Sequence, residues 1–298
     1  MKLLLFKFLQ KSFFWLSYPL QNKGLYRVSR TLGNTFFDRS ATHIAPIGKD
    51  TVFKFYLVDP YWNRLLIPKF IYEPELHHLF KKIKDVDFHF IDCGANLGYW
   101  SMLVAGKVYG SKPTTTIEPI QSNFDLIKDN VNYNKLSNVT LYKNAVSKKS
   151  GETVKLVFVE NDFSNTAASV SENITKTSQY EEVSTITLYD LLIPLKKKQI
   201  VVKLDIEGQE IAALESADDL LKSNSMDILF SYEDHGNDPT CMVTKHFFNI
   251  GYHILFISDS GMTTSITSIE KAMKLKTNIH KGYNFIAFKA NSSFKPYF

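Results

Sequence analysis

The chain has 298 residues, of which 44% are hydrophobic and 22% charged, and its formal net charge is +5. These proportions exclude a disordered or fibrous chain, and the small positive excess does not by itself indicate nucleic-acid binding. Two cysteines, Cys93 and Cys241, are too few for a disulfide framework, and the sequence lacks the cysteine and histidine spacing of a zinc site. We therefore expect a globular protein of a reducing compartment, the cytoplasm.

The first thirty residues form a basic and apolar segment, whose lysines and arginines all precede the first acidic residue, Asp38. Polar residues keep its apolar runs shorter than the roughly 20 residues of a membrane-spanning helix, and no small-residue cleavage site of a secretory signal follows. Large apolar residues recur at helical spacing: Leu3, Phe6, Leu9, Phe13 and Leu16. Residues 1–20 are therefore predicted to form an amphipathic helix that packs on its own domain, lies on a membrane surface, or acts as a targeting segment.

Residues 31–85 are interpreted as an N-terminal elaboration of a catalytic domain over residues 86–298. Within it, Thr51–Val58 is rich in residues that favour β-strands. Glu73–Lys84 begins with acids and ends with lysines, as the helix dipole favours, and is predicted to be a helix.

From residue 86 onward, short apolar runs alternate with helix-like segments. The runs predict strands at FHFIDC, TTTIE, NVTLY, IVVKLD, MDILFSYED, YHILFIS and YNFIAFK, and the segments predict helices at Leu97–Val108, Ser122–Tyr133, Gln209–Leu221 and Pro239–Ile250. This alternation predicts an α/β fold with a mostly parallel sheet, helices on both faces and an antiparallel edge formed by the last two strands. Two further β-rich runs, VKLVFVE and EVSTITL, enclose a polar loop around Asn161–Tyr180, which is interpreted as a lid over the acceptor.

Acidic residues end four of the predicted strands: Asp92, Glu118, Asp205 and Glu233. In an open α/β sheet, ligands bind beyond the carboxyl ends of the strands, so these four side chains are expected to meet at one edge. An acid at the end of the first strand suits a ligand with an ammonium group. An acid at the end of the second suits the two hydroxyls of a ribose.

The turn after the first strand, Asp92–Gly98, excludes two common phosphate-binding motifs. A dinucleotide fingerprint would need glycines at positions 96 and 99, where the chain has Asn96 and Tyr99, and the G-K-[ST] of a P-loop is absent. The sequence therefore argues against an oxidoreductase with a nicotinamide cofactor. Glycines here are expected to let a ligand approach the backbone closely.

Four motifs in order, DCGANLGYWS, IEP with Asn123 and Asn130 downstream, NAVS and VVKLDIEGQE, resemble the FkbM-like S-adenosylmethionine-dependent methyltransferases. The resemblance runs from about Phe88 to Glu233. It implies a Rossmann-like class I methyltransferase fold with a mostly parallel seven-stranded sheet. It also implies an O-methyltransferase that acts on a sugar, a glycan or another small hydroxylated acceptor.

The resemblance assigns roles to individual residues. The methionine part of S-adenosylmethionine would be held by Asp92, Gly94, Asn96 and Gly98, the ribose by Glu118, and the adenine would lie beside Asn144 and Ala145.

Candidate groups for removing the acceptor proton follow the fourth and fifth strands: Asp205, Glu207, Glu233, Asp234 and His235. Asp205, Glu233 and His235 are the leading candidates, and His235 has an unperturbed pKa nearest to neutral pH. The clustered carboxylates also allow a divalent metal on Asp205 with Glu233 or Asp234. Lys203 lies inside an apolar strand and is expected to form a structural ion pair.

Two other functions stay open from the sequence. The first, methylation of nucleic acid, is disfavoured by the small charge excess and by the absence of an N-P-P-[YFW] element, so no nucleic-acid partner is expected. The second is a protein without enzymatic activity that retains the fold. If the acceptor is a lipid-linked sugar, the basic N-terminal segment would hold the enzyme at the periphery of the membrane.

Overall fold

The computed structural model describes residues 1–17, 24–158, 180–223, 225–278 and 281–298, together with the backbone of residues 169–170. Most of the predicted polar loop around Asn161–Tyr180 therefore lies outside the described residues. The α-helices of the described chain are α1 Lys2–Ser17, α2 Leu25–Phe36, α3 Pro74–Ile83, α4 Tyr99–Ala105, α5 Gln121–Tyr133, α6 Leu188–Leu192, α7 Glu210–Ser216, α8 Asp218–Lys222, α9 Met242–Asn249 and α10 Ile269–Leu275. The strands are β1 Thr42–Pro46, β2 Val52–Tyr56, β3 Phe88–Cys93, β4 Thr114–Ile117, β5 Val139–Tyr142, β6 Ala145–Ser147, β7 Thr153–Val157, β8 Ser169–Val170, β9 Tyr180–Thr187, β10 Gln199–Leu204, β11 Asp227–His235, β12 Tyr252–Ile257, β13 Thr263–Ile266 and β14 Gly282–Lys289.

The central sheet has eight strands in the order β13-β12-β14-β11-β10-β3-β4-β5. The pairs among β11, β10, β3, β4 and β5 are parallel, whereas β14 runs antiparallel to both of its neighbours and β13 runs antiparallel to β12. The prediction of an α/β sheet with an antiparallel edge is confirmed, but the count of seven strands is wrong. The extra strand, β13, has the polar sequence TTSI, which carries no apolar pattern that could reveal it.

Side chains on both faces of the central strands are buried, because successive residues of a strand point to opposite faces. On β3, Ile91 and Cys93 belong to one apolar cluster, while Phe88 and Phe90 belong to a second. The first cluster lies under α7, α8 and α9. The second lies under α4, α3 and the β1–β2 hairpin, so the N-terminal elaboration covers the second face of the sheet and shares its core.

Helix α1 packs on this elaboration with a face that overlaps the one that the apolar spacing predicts, because Phe6 is buried and Leu3 and Phe13 are half-buried against the core. Its buried residues are Phe6, Gln10, Phe14 and Ser17, whereas Leu16 is exposed. Phe6 packs edge-on against Phe37, with ring centroids 5.1 Å apart. The buried amide of Gln10 donates to Ser29 Oγ at 3.0 Å and to Asn63 Oδ1 at 2.8 Å, a polar contact that draws this face inward.

Asn130 of α5 and Asn134, the residue after this helix, bind the backbone of β2 along the edge that β1 leaves free. Asn134 Oδ1 accepts from Val52 N at 2.8 Å and its Nδ2 donates to Val52 O at 2.7 Å. Asn130 makes the same pair of bonds with Lys54, at 2.6 and 3.1 Å, and also donates to Leu97 O at 3.1 Å. These amides tie the elaboration to the turn that follows β3.

The remaining strands form two small sheets outside the central one. The β1–β2 hairpin is antiparallel, and β6-β9-β7-β8 form a four-stranded sheet that contains both β-rich runs around the predicted lid. The predicted helix at Gln209–Leu221 is interrupted at Ala217 and forms the two helices α7 and α8. Among the described residues, no helix is both long and apolar enough to cross a bilayer.

Candidate functional site

A cavity opens at the carboxyl ends of β3, β4, β10 and β11. The strand order reverses between β3 and β10, because the chain continues from β3 to β4 on one side and from β10 to β11 on the other. This switch point is where open α/β sheets bind ligands. The four strand-end acids, Asp92, Glu118, Asp205 and Glu233, all line the cavity, as the sequence pattern predicts.

Asp92 is buried at the base of the cavity. Its Oδ2 accepts from Ser101 Oγ at 2.6 Å, and that hydroxyl in turn accepts from Thr116 Oγ1 at 2.8 Å. Its Oδ1 is buried without a hydrogen-bond partner among the described residues. Burial raises the pKa of Asp92, and the charge of Lys203 partly opposes that rise. The unpaired oxygen can accept a hydrogen bond from a ligand.

The turn after β3 is shaped by three residues with positive φ: Gly94 at 78°, Asn96 at 53° and Gly98 at 82°. A Cβ at Gly94 would lie 1.8 Å from the backbone oxygen of Asp205, so this glycine allows the turns after β3 and β10 to approach each other. Gly98 stands at the start of α4 in the left-handed conformation. The close approach of the Asp205 backbone is thus enough to require a glycine at position 94, whether or not a ligand binds there.

Glu118 binds the same turn from the end of β4. Its Oε2 accepts from Asn96 N at 2.9 Å, and its Oε1 accepts from Ile120 N at 3.1 Å and from Asn123 Nδ2 at 3.3 Å. Burial raises its pKa to about 8, although these three donors oppose the rise. Since a carboxylate offers about four acceptor positions, one remains for a ligand in the cavity.

Asn144 and Ala145, which follow β5, lie on another part of the cavity wall. The Asn144 side chain donates to Ser184 O at 3.1 Å, so the four-stranded sheet holds it in place. Ala145 is buried and belongs to a small apolar cluster with Ile120 and Leu156, which also line the cavity. This wall is apolar and suits a flat ring.

A second group of acids faces the opposite part of the cavity: Glu73, Asp205 and Glu233, with Lys203 among them. Lys203 Nζ lies 2.7 Å from Asp205 Oδ2, which confirms the expected ion pair. Burial by itself lowers the pKa of Lys203, but the charges of Asp205, Glu73 and Asp92 outweigh burial and raise it above its usual value. One cation thus balances several buried carboxyl groups.

Two of these carboxyls bind protons unusually tightly. Burial, together with the charges of Asp205 and Glu73, raises the pKa of Glu233 to about 9. Burial also raises the pKa of Glu73 to about 7, with Lys203 opposing the rise. Near neutral pH, therefore, Glu233 and Glu73 both hold their protons more tightly than exposed carboxyls do.

Glu73 comes from the elaboration and lies outside the strand-end pattern. It precedes α3 with φ at 43°, and its Oε2 accepts a short hydrogen bond from Trp100 Nε1. Aromatic rings surround it on the cavity wall: Tyr61, Trp62, Tyr72, Tyr99 and Trp100. Trp62 packs against Tyr72 at 4.8 Å between ring centroids and donates from Nε1 to Asn96 Oδ1 at 2.9 Å. The elaboration thus supplies an acid and part of the aromatic wall.

The alternation of β11 separates Glu233 from its neighbour Asp234. Glu233 points to the face that the elaboration covers, whereas Asp234 points to the other face, where its carboxylate accepts from Thr244 Oγ1 at 2.8 Å and pairs with Lys276 Nζ at 3.2 Å. Asp234 does not line the cavity, which corrects its assignment as a metal ligand beside Asp205 and Glu233. Within the described ranges, no group of three or more histidine, cysteine, aspartate or glutamate side chains is arranged to hold a metal ion.

His235 also lies outside the cavity, which corrects its selection as the leading base. It is exposed at the end of β11, and its Nδ1 forms a hydrogen bond with Asn237 Oδ1 at 2.7 Å. Glu207, with φ at 52°, does line the cavity. Of the three leading candidate bases, the structure brings only Asp205 and Glu233 together.

Comparisons with known proteins agree with this arrangement of motifs. A family model described as "Methyltransferase FkbM domain" matches residues 92–258 of the chain. None of the curated proteins matches the chain in sequence at a significant level.

Several solved structures resemble the chain weakly. Precorrin-6y C5,15-methyltransferase from Geobacter metallireducens aligns with a TM-score of 0.40 at 14% identity, over 75% of this chain and 91% of that one. Methyltransferase FkbM from Methylobacillus flagellatus aligns with a TM-score of 0.42 at 16% identity, over 76% of this chain and 52% of that one. M. jannaschii TYW2, solved in complex with AdoMet, aligns with a TM-score of 0.41 at 12% identity, over 85% and 86% of the two chains.

Proposed function

Because the chain belongs to the family of FkbM methyltransferases, whose general reaction is methyl transfer from S-adenosylmethionine, we propose that it methylates a hydroxyl oxygen of a sugar. The acceptor is a glycan or a small hydroxylated molecule. The observation that carries this proposal is the group of carboxyls, Glu73, Asp205 and Glu233, beside aromatic rings in one cavity.

The residues at the β3 and β4 ends fit S-adenosylmethionine. The unpaired Oδ1 of Asp92 would accept a hydrogen bond from the ammonium group of the methionine part. The remaining acceptor capacity of Glu118 binds a ribose hydroxyl, and the wall at Asn144 and Ala145 takes the adenine. Gly94 and Asn96 line the cavity and would hold the methionine part, whereas Gly98, at the start of α4, is not among the lining residues.

The residues at the β10 and β11 ends fit a sugar. Carboxyl groups accept hydrogen bonds from hydroxyls, and aromatic rings pack against the apolar C–H faces of a sugar ring. Trp62, Tyr72 and Tyr99 supply such rings within 5.5 Å of one another. A nucleobase could also stack here, but the acids Glu73, Asp205, Glu207 and Glu233 disfavour a polyphosphate chain, since Lys203 is the one lysine among the described residues of the cavity wall.

The bound cofactor supplies an activated methyl group on a positively charged sulfur. Asp205, fixed by Lys203, orients the acceptor hydroxyl by accepting its hydrogen bond. As the hydroxyl oxygen bonds to the methyl carbon and the sulfur–methyl bond breaks, the hydroxyl proton passes to the carboxylate of Glu233. Positioning and proton transfer are the contributions expected of these side chains.

The acceptor can be identified by incubating the purified chain and methyl-labelled S-adenosylmethionine with separated cell glycans, lipids, RNA and protein. We expect label in glycan or glycolipid, released by hydrolysis as an O-methyl sugar. Label confined to RNA or protein would contradict the proposed acceptor.

The cofactor site can be tested by titration calorimetry with Asp92→Asn and Glu118→Gln. Each change replaces a carboxyl oxygen by an amide nitrogen, which cannot accept a hydrogen bond, while preserving shape, so each is expected to weaken S-adenosylmethionine binding by about tenfold or more. Glu270→Gln serves as the matched control, because the Glu270 side chain is exposed and pairs with Lys274 on the surface. This variant should bind S-adenosylmethionine as the original chain does. Normal affinity in both cavity variants would refute the assignment of the cofactor residues.

A further inference from the structure

Helix α1 carries a row of exposed apolar side chains on the face that points away from the protein. These residues, which we call the outer stripe, are Met1, Leu4, Leu5, Phe8, Trp15 and Leu16. Met1, Leu4, Leu5, Trp15 and Leu16 lie three, four, seven or eight residues from Phe8, so these side chains share one side of the helix. Phe8 is 64% exposed and Leu16 is 79% exposed. Since α1 also buries apolar residues on its other side, this exposure is unusual: a helix with apolar residues on all sides is normally buried on all sides.

Positive charge surrounds the outer stripe. Lys2 and Lys11 are exposed on the same helix, and Lys69 Nζ lies 5.5 Å from the centre of the Trp15 ring. Residues 1–37 include no aspartate or glutamate. A surface that covers this stripe must therefore be apolar inside and anionic at its rim.

We propose that the outer stripe lies on an anionic lipid surface, with α1 parallel to the membrane plane. Large apolar side chains then enter the boundary between headgroups and acyl chains, and the lysines meet lipid phosphates. A second copy of the chain fits less well, because a two-fold contact through this stripe would bring the same lysines together.

The opposite face of α1 fixes this orientation. Sixteen residues extend about 24 Å, less than the roughly 30 Å of a bilayer core. The buried hydrogen bonds of Gln10 with Ser29 and Asn63 hold the helix flat against the elaboration. Asn63 directly follows Trp62, so the anchored helix adjoins a wall of the cavity. Membrane binding through the outer stripe does not depend on the sugar acceptor proposed above.

Trp15 provides a direct measurement. The chain has three tryptophans, and Trp62 and Trp100 are each 3% exposed whereas Trp15 is 46% exposed. With vesicles of phosphatidylcholine and phosphatidylglycerol, we expect a blue shift of emission that Trp15→Phe removes. Raising the salt concentration should weaken binding, because the lysine–phosphate attraction is screened. Absence of any shift and of cosedimentation with these vesicles would overturn the proposal.

Variants separate a lipid surface from other partners. Phe8→Glu with Leu16→Glu is expected to reduce vesicle partitioning by about tenfold or more, since it places charge where apolar area would be buried. Met262→Glu, at an equally exposed apolar residue away from α1, should bind as the original chain does. Unchanged melting and S-adenosylmethionine affinity verify the fold in each variant. A dimer in sedimentation equilibrium that Phe8→Glu dissociates would instead assign the stripe to a second copy and refute the lipid proposal.

Discussion

At the residue scale, the cavity concentrates acidic groups whose protonation differs from that of exposed carboxyls. Glu233, Glu118 and Glu73 all have raised pKa values, because burial penalises their charged forms. A carboxyl that binds its proton more tightly is a stronger base once it is ionised. The same burial that makes Glu233 costly to ionise therefore makes it suitable for accepting a hydroxyl proton.

Glu233→Gln tests this role through the pH dependence of turnover. If Glu233 accepts the proton, turnover should rise with pH toward about 9 and level off as the carboxyl becomes ionised. Because the positive charge of the bound cofactor favours the ionised carboxylate, it should lower the pKa of Glu233 and move the rise in turnover to a pH below about 9. The variant is expected to lose about 100-fold or more in kcat and to lose the rise, while cofactor affinity is retained. A variant with the original pH profile would exclude Glu233 as the base.

The site residues could be predicted from sequence only where a simple rule places them. Parallel strands share one carboxyl edge, so Asp92, Glu118, Asp205 and Glu233 could be brought together without a structure. Glu73 could not, because it precedes a helix of the elaboration and reaches the cavity only by tertiary packing. The position of His235 outside the cavity could not be predicted either, since proximity along the strand does not determine which side chain enters the cavity.

At the element scale, the pairing of β11 with β14 positions the proposed base. Gly282 begins β14 opposite His235, and a Cβ there would lie 2.0 Å from the carboxyl carbon of Glu233. The missing side chain of Gly282 therefore provides the space that the Glu233 carboxyl occupies.

Gly282→Ala should displace that carboxyl without unfolding the strand, because only the end of a flexible side chain must move. A displacement of about 1 Å is expected to reduce kcat by roughly 100-fold, with cofactor affinity little changed. In a Glu233→Ala background the same change should have almost no further effect. Equal losses in both backgrounds would mean that Gly282 acts independently of Glu233.

The elements themselves differ in how well their sequences reveal them. Buried strands such as β3 and β10 are apolar on both faces and stand out clearly. The edge strand β13 is short and polar and does not. For α1, the apolar spacing identifies the helix and part of its inner face. It does not identify Gln10, whose buried hydrogen bonds with Ser29 and Asn63 leave no trace in an apolar pattern.

At the scale of the whole molecule, buried acids make stability depend on pH. A carboxyl whose pKa is higher in the folded chain than its usual 4.5 stabilises the fold fully below that usual value, and the contribution is lost as pH rises through the folded value. Glu73, Glu118 and Glu233 lose theirs near pH 7, 8 and 9. His77 has the opposite effect at lower pH, because burial lowers its pKa to about 4. Its contribution to the free energy of unfolding is complete above pH 6.5 and is lost as the pH falls through about 4.

The melting temperature should therefore fall between about pH 6.5 and 9. S-adenosylmethionine should raise it most at the alkaline end, where its positive charge meets ionised carboxylates. Differential scanning fluorimetry across this range, with and without cofactor, measures both effects. Glu233→Gln should flatten the alkaline decline, and a melting temperature that rises steadily to pH 9 would contradict the assignment of these acids as buried and protonated.

The contacts of Asn130 and Asn134 with β2 have a consequence for how the folded protein behaves in a crowded solution. Four residues of a helix advance about 6 Å, close to the roughly 6.6 Å between alternate residues of a strand, so Asn130 and Asn134 substitute for a neighbouring strand along β2. An open strand edge would recruit strands from other molecules. With its amides and carbonyls at Val52 and Lys54 already occupied, this edge offers no template for growth into an aggregate.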